Sequence, residues 1–154
     1  GREMLKQASQ IDVILVGIGG GGLISGIATA AKAIKPEIRI IGVEPVGAPT
    51  LKASLEAGCV TPLEEISTNA ITLAPKRSAQ LNLDIISRHV DEIVLVDDTE
   101  MKTAARWLYQ EAGIAADLSG AAALAALQSG KVSVPDDQCV AALVCGAGKD
   151  GVGD

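Results

Sequence analysis

The chain has 154 residues, is 48% hydrophobic but only 1% aromatic, and carries a net charge of -6. That is enough length and apolar content for one domain with its own core, built from Ala, Val, Ile and Leu, and it excludes a disordered chain. An acidic chain with no basic block and almost no rings for base stacking makes a poor binder of nucleic acid or anionic membrane.

"GREMLKQASQ", at positions 1–10, reads as the back of a helix running into a strand. With no Met at position 1, it is expected to continue from a preceding N-terminal portion. "DVILVGI" (12–18) is a continuous apolar run rich in β-branched residues, which predicts a strand buried on both faces. Residues 22–34 predict a helix that stops before Pro36, and "EIRIIGVE" (37–44) a second strand. "APTLKASLEAG" (48–58), with Pro near its start and Gly at its end, is punctuated as a helix. Residues 60–75 read as an irregular crossing and 77–89 as a helix, followed by a third strand at 91–98. Over 97–113 a helix is expected with Asp98 or Thr99 as its cap. An alanine-rich helix (119–130) and a last strand running into glycines (138–148) complete the chain. Strands alternating with helices predict an α/β fold: a parallel, Rossmann-like sheet of about four strands with helices on both faces, in three layers. The cysteines, Cys59, Cys139 and Cys145, are odd in number and form no CxxC pair, which favours a reducing, cytoplasmic compartment over a disulfide framework. No apolar run reaches membrane-spanning length.

Gly19, Gly20, Gly21 and Gly22 stand where the first strand hands over to a helix. Glycines at such a junction let backbone approach an anion closely, and the helix N-terminus offers unpaired N–H groups and partial positive charge. The competing reading is a tight turn packed on neighbouring backbone. Gly17 to Gly22 also satisfies GxGxxG, and Glu44 ends the next strand about where a dinucleotide-binding domain keeps its ribose-binding acid. The spacing alone leaves both phosphate types open.

Four stretches in order, "VGIGGGGLISGIATAAK", "IIGVEP", "QEAGIAADLSGAAALAAL" and "LVCGAGKDG", resemble the pyridoxal-phosphate enzymes of the tryptophan-synthase β-subunit fold (fold type II), closest to their threonine/serine dehydratase and serine racemase branch. The resemblance implies that Gly19, Gly20, Gly21, Gly22 and Leu23 wrap the phosphate of pyridoxal phosphate. It places Cys145 where relatives keep a Ser or Cys beside the pyridine nitrogen; a thiol there does not hold that nitrogen protonated. It also puts Glu44 and the carbonyl of Ala48 at a divalent-cation site. The second acid of that site is Thr50 here, so the donor set is thin, and a solvated strand-end acid is the competing reading of Glu44. The family's helix entry "E-P-S-G-A" reads Asp117-Leu118-Ser119-Gly120-Ala121, with a helix cap as the competing role of Asp117. The middle "A-D-G-L-A" reads Ala70-Ile71-Thr72-Leu73-Ala74, without its Asp-Gly turn.

Such enzymes need a Schiff-base lysine, which in relatives sits in a Ser-x-Lys-x-Arg-like segment ahead of the glycine loop. No such segment occurs here, so no residue is assigned as catalytic. Most of the lysines present read as solvated charges; Lys149 lies near the expected site, but the resemblance gives it no Schiff-base role, and His89 reads as a solvated helix-end residue. The expectation is therefore that residues 1–154 form a single domain, the C-terminal part of a large cofactor-binding domain, with the lysine-bearing part supplied elsewhere. The parent reaction would be β-elimination of water from a β-hydroxy amino acid. The chain alone would be inactive, its partners being an amino acid, a complementing N-terminal portion or further copies of itself. The rival readings are a dinucleotide-binding module and a non-catalytic assembly partner of the same fold.

Overall fold

The computed structural model describes residues 1–153. Strand β1 (Ile11–Gly17) follows the short helix α1 (Arg2–Gln7) and is buried on both faces, as its apolar run predicts. Successive side chains of a strand point to opposite faces. Val13 and Leu15 accordingly enter one core, while Ile14 and Val16 enter another. Helix α2 (Gly22–Ile34) leads to β2 (Arg39–Pro45), α3 (Thr50–Ala57) and a 3-10 turn at Ile71–Leu73. Helix α4 (Gln80–His89), β3 (Glu92–Val96), α5 (Asp98–Ala112), α6 (Leu118–Gln128) and β4 (Cys139–Ala142) follow.

The sheet has the order β3-β2-β1-β4 and every pairing is parallel. Helices α1 to α4 cover the face carrying Ile14 and Ile40, whereas α5 and α6 cover the face carrying Leu15 and Val43. The expected three-layer α/β architecture is thus the observed one. Helix α6 is buried nearly all round, which its alanines allow by letting α5 and the sheet approach closely. Among the described residues, no helix is long and apolar enough to cross a membrane.

Strand order is what positions the site. The chain leaves β1 toward β2 on one side, and β4 returns to the other side of β1. Crossovers therefore diverge at the carboxyl end of β1, leaving the crevice where open α/β sheets take their ligands. Asp12 fixes that return: its Oδ2 accepts the Cys139 N–H at 2.9 Å and its Oδ1 pairs with Lys35 Nζ at 2.8 Å. The hydrogen bond from Lys35 holds the Asp12 carboxyl below the usual carboxylate range.

Several boundaries differ from expectation, two of them for reasons visible in nearby contacts. Helix α5 is capped by Asp97 rather than Asp98 or Thr99, because only from Asp97 does Glu100 fall at the third helical position. Asp97 Oδ1 accepts the Glu100 N–H and Glu100 Oε2 accepts the Asp97 N–H, each at 2.8 Å. Asp98 instead holds the crossing segment, accepting from the Thr68 hydroxyl and from the N–H and side-chain amide of Asn69. The last strand ends early at Ala142, since beyond Leu143, whose N–H still donates to the Leu15 carbonyl at 3.0 Å, the chain turns away toward the start of α6.

Candidate functional site

Gly21 is the N-cap of α2, with φ +91° and ψ -7°. A side chain there would also meet Leu51 Cδ1 at 2.7 Å, so this position needs glycine for both conformation and space. A Cβ at Gly19 would lie 2.5 Å from the Thr72 carbonyl oxygen, because the 3-10 turn packs directly on the loop. Gly20 and Gly22 are different: a Cβ at either would point into open space. The tight-turn reading therefore accounts for Gly19 and Gly21 only. Packing within the chain does not demand glycine at Gly20 or Gly22.

The backbone donors agree. The first helical bond of α2 runs from the Ser25 N–H to the Gly21 carbonyl at 3.0 Å. The N–H groups of Gly19, Gly20, Gly21, Gly22, Leu23 and Ile24 have no acceptor among the described residues. A run of unpaired donors at a helix N-terminus, with the helix's partial positive charge behind it, is an arrangement suited to an anion. The Gly20 carbonyl is held from the other side by Ser78 and Asn82, 58 and 62 residues away in sequence.

Residues 17–24, Leu73 and Cys145 line a single pocket of about 140 Å³. Cys145 and the glycines, predicted to share a ligand, are thus brought together by the adjacency of β1 and β4. Cys145 is exposed at the pocket's edge; partial desolvation pushes its thiol above its ordinary range, a backbone hydrogen bond opposes this, and the negative charge of Asp117 adds to it. Its loop rests on the start of α6, where a side chain at Gly146 would collide with Asp117. Asp117 caps α6 by accepting the Gly120 N–H at 2.6 Å, and Asp150 accepts the Leu118 N–H at 2.8 Å. A second pocket of about 360 Å³ lies on the other side of the 3-10 turn, lined by Asn69, Ile71, Thr72, Asp117, Leu118, Ser119 and Asp150.

Glu44 corrects an expectation. It is not a solvated strand-end acid but fully buried. Oε1 accepts the Leu51 N–H at 2.7 Å and Oε2 the Lys52 N–H at 2.9 Å, so the carboxylate caps α3, whose own N-cap, Pro49, makes no side-chain cap. The Ala48 carbonyl accepts the Thr50 N–H at 2.9 Å. An acid enclosed in this way is not at hand for a ribose hydroxyl, which removes one of the two features that favoured a dinucleotide. Among the described residues, no three His, Cys, Asp or Glu side chains gather to hold a metal.

No lysine lines either pocket. Lys32, Lys35, Lys52 and Lys131 are engaged with Asp91, Asp12, Glu56 and Glu100 rather than merely solvated. His89 closes α4 and lines neither pocket. Sequence reasoning did not single out Ser78, Asn82 or the covering role of the 3-10 turn. No local motif signals them, because their partner is a backbone carbonyl in a distant loop.

A protein-family model described as "Pyridoxal-phosphate dependent enzyme" matches residues 1–146. The phenylserine dehydratase of Ralstonia pickettii is 35% identical over 150 residues, which are 97% of this chain and 46% of that protein. A solved threonine deaminase from T.th. superposes with a TM-score of 0.88 at 33% identity, over 95% of this chain and 54% of that one. Maize serine racemase gives a TM-score of 0.85 at 36% identity, over 96% and 47%. The chain spans about half the length of these relatives.

Proposed function

Because the chain belongs to the pyridoxal-phosphate-dependent enzymes and is threonine/serine dehydratase-like within them, we propose that it is the portion of such an enzyme that holds the cofactor phosphate, and that the whole enzyme eliminates water from a β-hydroxy amino acid. The observation that carries this is the run of unpaired N–H groups from Gly19 to Ile24 beside the open Cβ positions of Gly20 and Gly22. These residues fit the phosphate of pyridoxal phosphate, the cofactor that the family implies.

When bound, the cofactor supplies an electron sink for the pair left behind as the amino acid loses its α-proton. Gly19, Gly20, Gly21, Gly22 and Leu23 bind its phosphate, with the partial positive charge of α2 behind them. Cys145, from the loop after β4, would face the cofactor's ring nitrogen, where a thiol is too weak a partner to hold that nitrogen protonated. The base that moves the α-proton is a lysine outside this pocket's lining, on a complementing portion of the enzyme. The second pocket, along Thr72 and Ser119, is the approach for the amino acid. The unpaired cysteines support a cytoplasmic location, and the assembly is an oligomer or a complemented pair.

The test is reconstitution. The 154-residue chain with added pyridoxal phosphate is expected to bind it saturably, yet release no 2-oxobutanoate from threonine and no pyruvate from serine. Adding a lysine-bearing portion, as a separate chain or a fusion, should restore elimination. Robust turnover by the chain alone would overturn the division of labour. Binding of NAD in place of pyridoxal phosphate would overturn the cofactor.

A further inference from the structure

We propose that Ser78 and Asn82 are positioning residues of the anion cradle: by gripping the Gly20 carbonyl, they aim the Gly21 N–H at the phosphate. The inference rests on the cofactor reading above and adds the part of the chain that shapes the site.

Ser78 Oγ donates to the Gly20 carbonyl at 2.8 Å, and Asn82 Nδ2 donates to the same oxygen at 2.7 Å. Gly20 is exposed, so water could serve its carbonyl; instead two side-chain donors from one short stretch of chain converge on that oxygen and occupy both of its lone pairs. Their geometric consequence is specific. The peptide between Gly20 and Gly21 is planar and trans, so fixing its C=O toward α4 fixes its N–H in the opposite direction. That N–H is among the unpaired donors of the loop. Gly21, at φ +91°, then turns the chain so that the N–H groups of Gly22 and Leu23 follow it into the first turn of α2. Without the grip, glycine-rich backbone has wide freedom, and this peptide could flip to present a carbonyl oxygen to an anion. Ser78 is nearly buried and precedes the first residue of α4, while Asn82 lies in its first turn, so both act from the ordered start of a helix. The same contact explains why α4 begins at Gln80 rather than at residue 77: Ser78 is still part of the loop that meets Gly20.

The variants are Ser78→Ala, Asn82→Leu and Ser78→Thr in the full chain, and the probes are inorganic phosphate and pyridoxal phosphate measured by equilibrium dialysis. Amide resonances are followed by NMR and stability by urea unfolding. Ser78→Ala and Asn82→Leu are each expected to weaken both probes about tenfold, equivalent to about 1.4 kcal/mol. The downfield shift of the Gly21 amide on adding phosphate should shrink with them, and Ser78→Thr should keep both affinity and shift. A merely structural contact would lower the urea midpoint while leaving the folded protein's affinity and the Gly21 shift unchanged, and that result overturns the proposal. If Asn82→Leu does not fold, Ser78→Ala decides, since it removes a single oxygen. If the parent chain binds neither probe, the cofactor reading falls and this inference with it. If the parent binds and the variants bind equally, this inference alone falls.

Discussion

Glu44 Oε1 accepts the Leu51 N–H at 2.7 Å inside the fold, so the end of strand β2 ties down the first turn of helix α3. Burial pushes the Glu44 carboxyl up to about 7 from an ordinary 4.5, with the Leu51 and Lys52 N–H groups pulling the other way. A folded-state value above the unfolded one means that the native chain holds the proton more tightly. The associated stability is fully present below the unfolded value and is lost as pH rises through about 7. Urea unfolding should therefore show the stability of the parent, relative to Glu44→Gln, falling by about 2 kcal/mol between about pH 5.5 and about pH 8. Parallel pH profiles for the two proteins would show that Glu44 does not titrate in this window.

Gly20→Asp and Gly21→Ala should fail in opposite ways. At Gly20 a side chain enters open space, so the aspartate variant is expected to fold with near-parental stability and to lose phosphate and pyridoxal phosphate affinity by tenfold or more, about 1.4 kcal/mol. At Gly21 a methyl group meets Leu51 and Ile86 at an unfavourable φ, so the alanine variant should lose about 2 kcal/mol or more of stability. Dialysis and denaturation on the same samples check both. Unchanged binding in Gly20→Asp would mean that the loop is structural only.

In the reconstituted enzyme, Cys145→Ala should lower turnover several-fold, the loss of a hydrogen bond of about 1 kcal/mol, while Cys145→Ser retains it. His89→Ala should turn over like the parent, since His89 lines neither pocket. Steady-state rates of oxo-acid release distinguish these outcomes; equal rates for Cys145→Ala and the parent would remove the thiol from the site.

Ser25 Oγ is buried in α2 without a hydrogen-bond partner among the described residues. Replacing it with alanine removes an unsatisfied polar atom and introduces a better helix former. Ser25→Ala is expected to unfold at the parental urea concentration or higher, by about 1 kcal/mol at most. A clear loss of stability would reveal a hydrogen bond made by this hydroxyl.

The sequence by itself determined what depends on near neighbours. The apolar run 12–18 predicted β1, which spans Ile11–Gly17; Gly113 closed α5, the alanines of α6 allowed it to be enclosed, and the alternation of strands with helices set the parallel sheet. The resemblance likewise grouped Gly19 to Leu23 with Cys145. Tertiary structure decided the rest. Which glycines are needed for packing and which are left open depends on Thr72 and Leu51, brought in from other parts of the chain. Glu44 reads as an exposed strand end until α3 folds over it and supplies two N–H groups. Cys145 faces the glycine loop only because β4 pairs with β1, and Ser78 reaches Gly20 across 58 residues. Propensity, capping and periodicity act over a few residues along the chain, so they are written where they act. Contacts between distant segments are chosen by strand order and by burial of two opposed apolar faces, which no single stretch encodes.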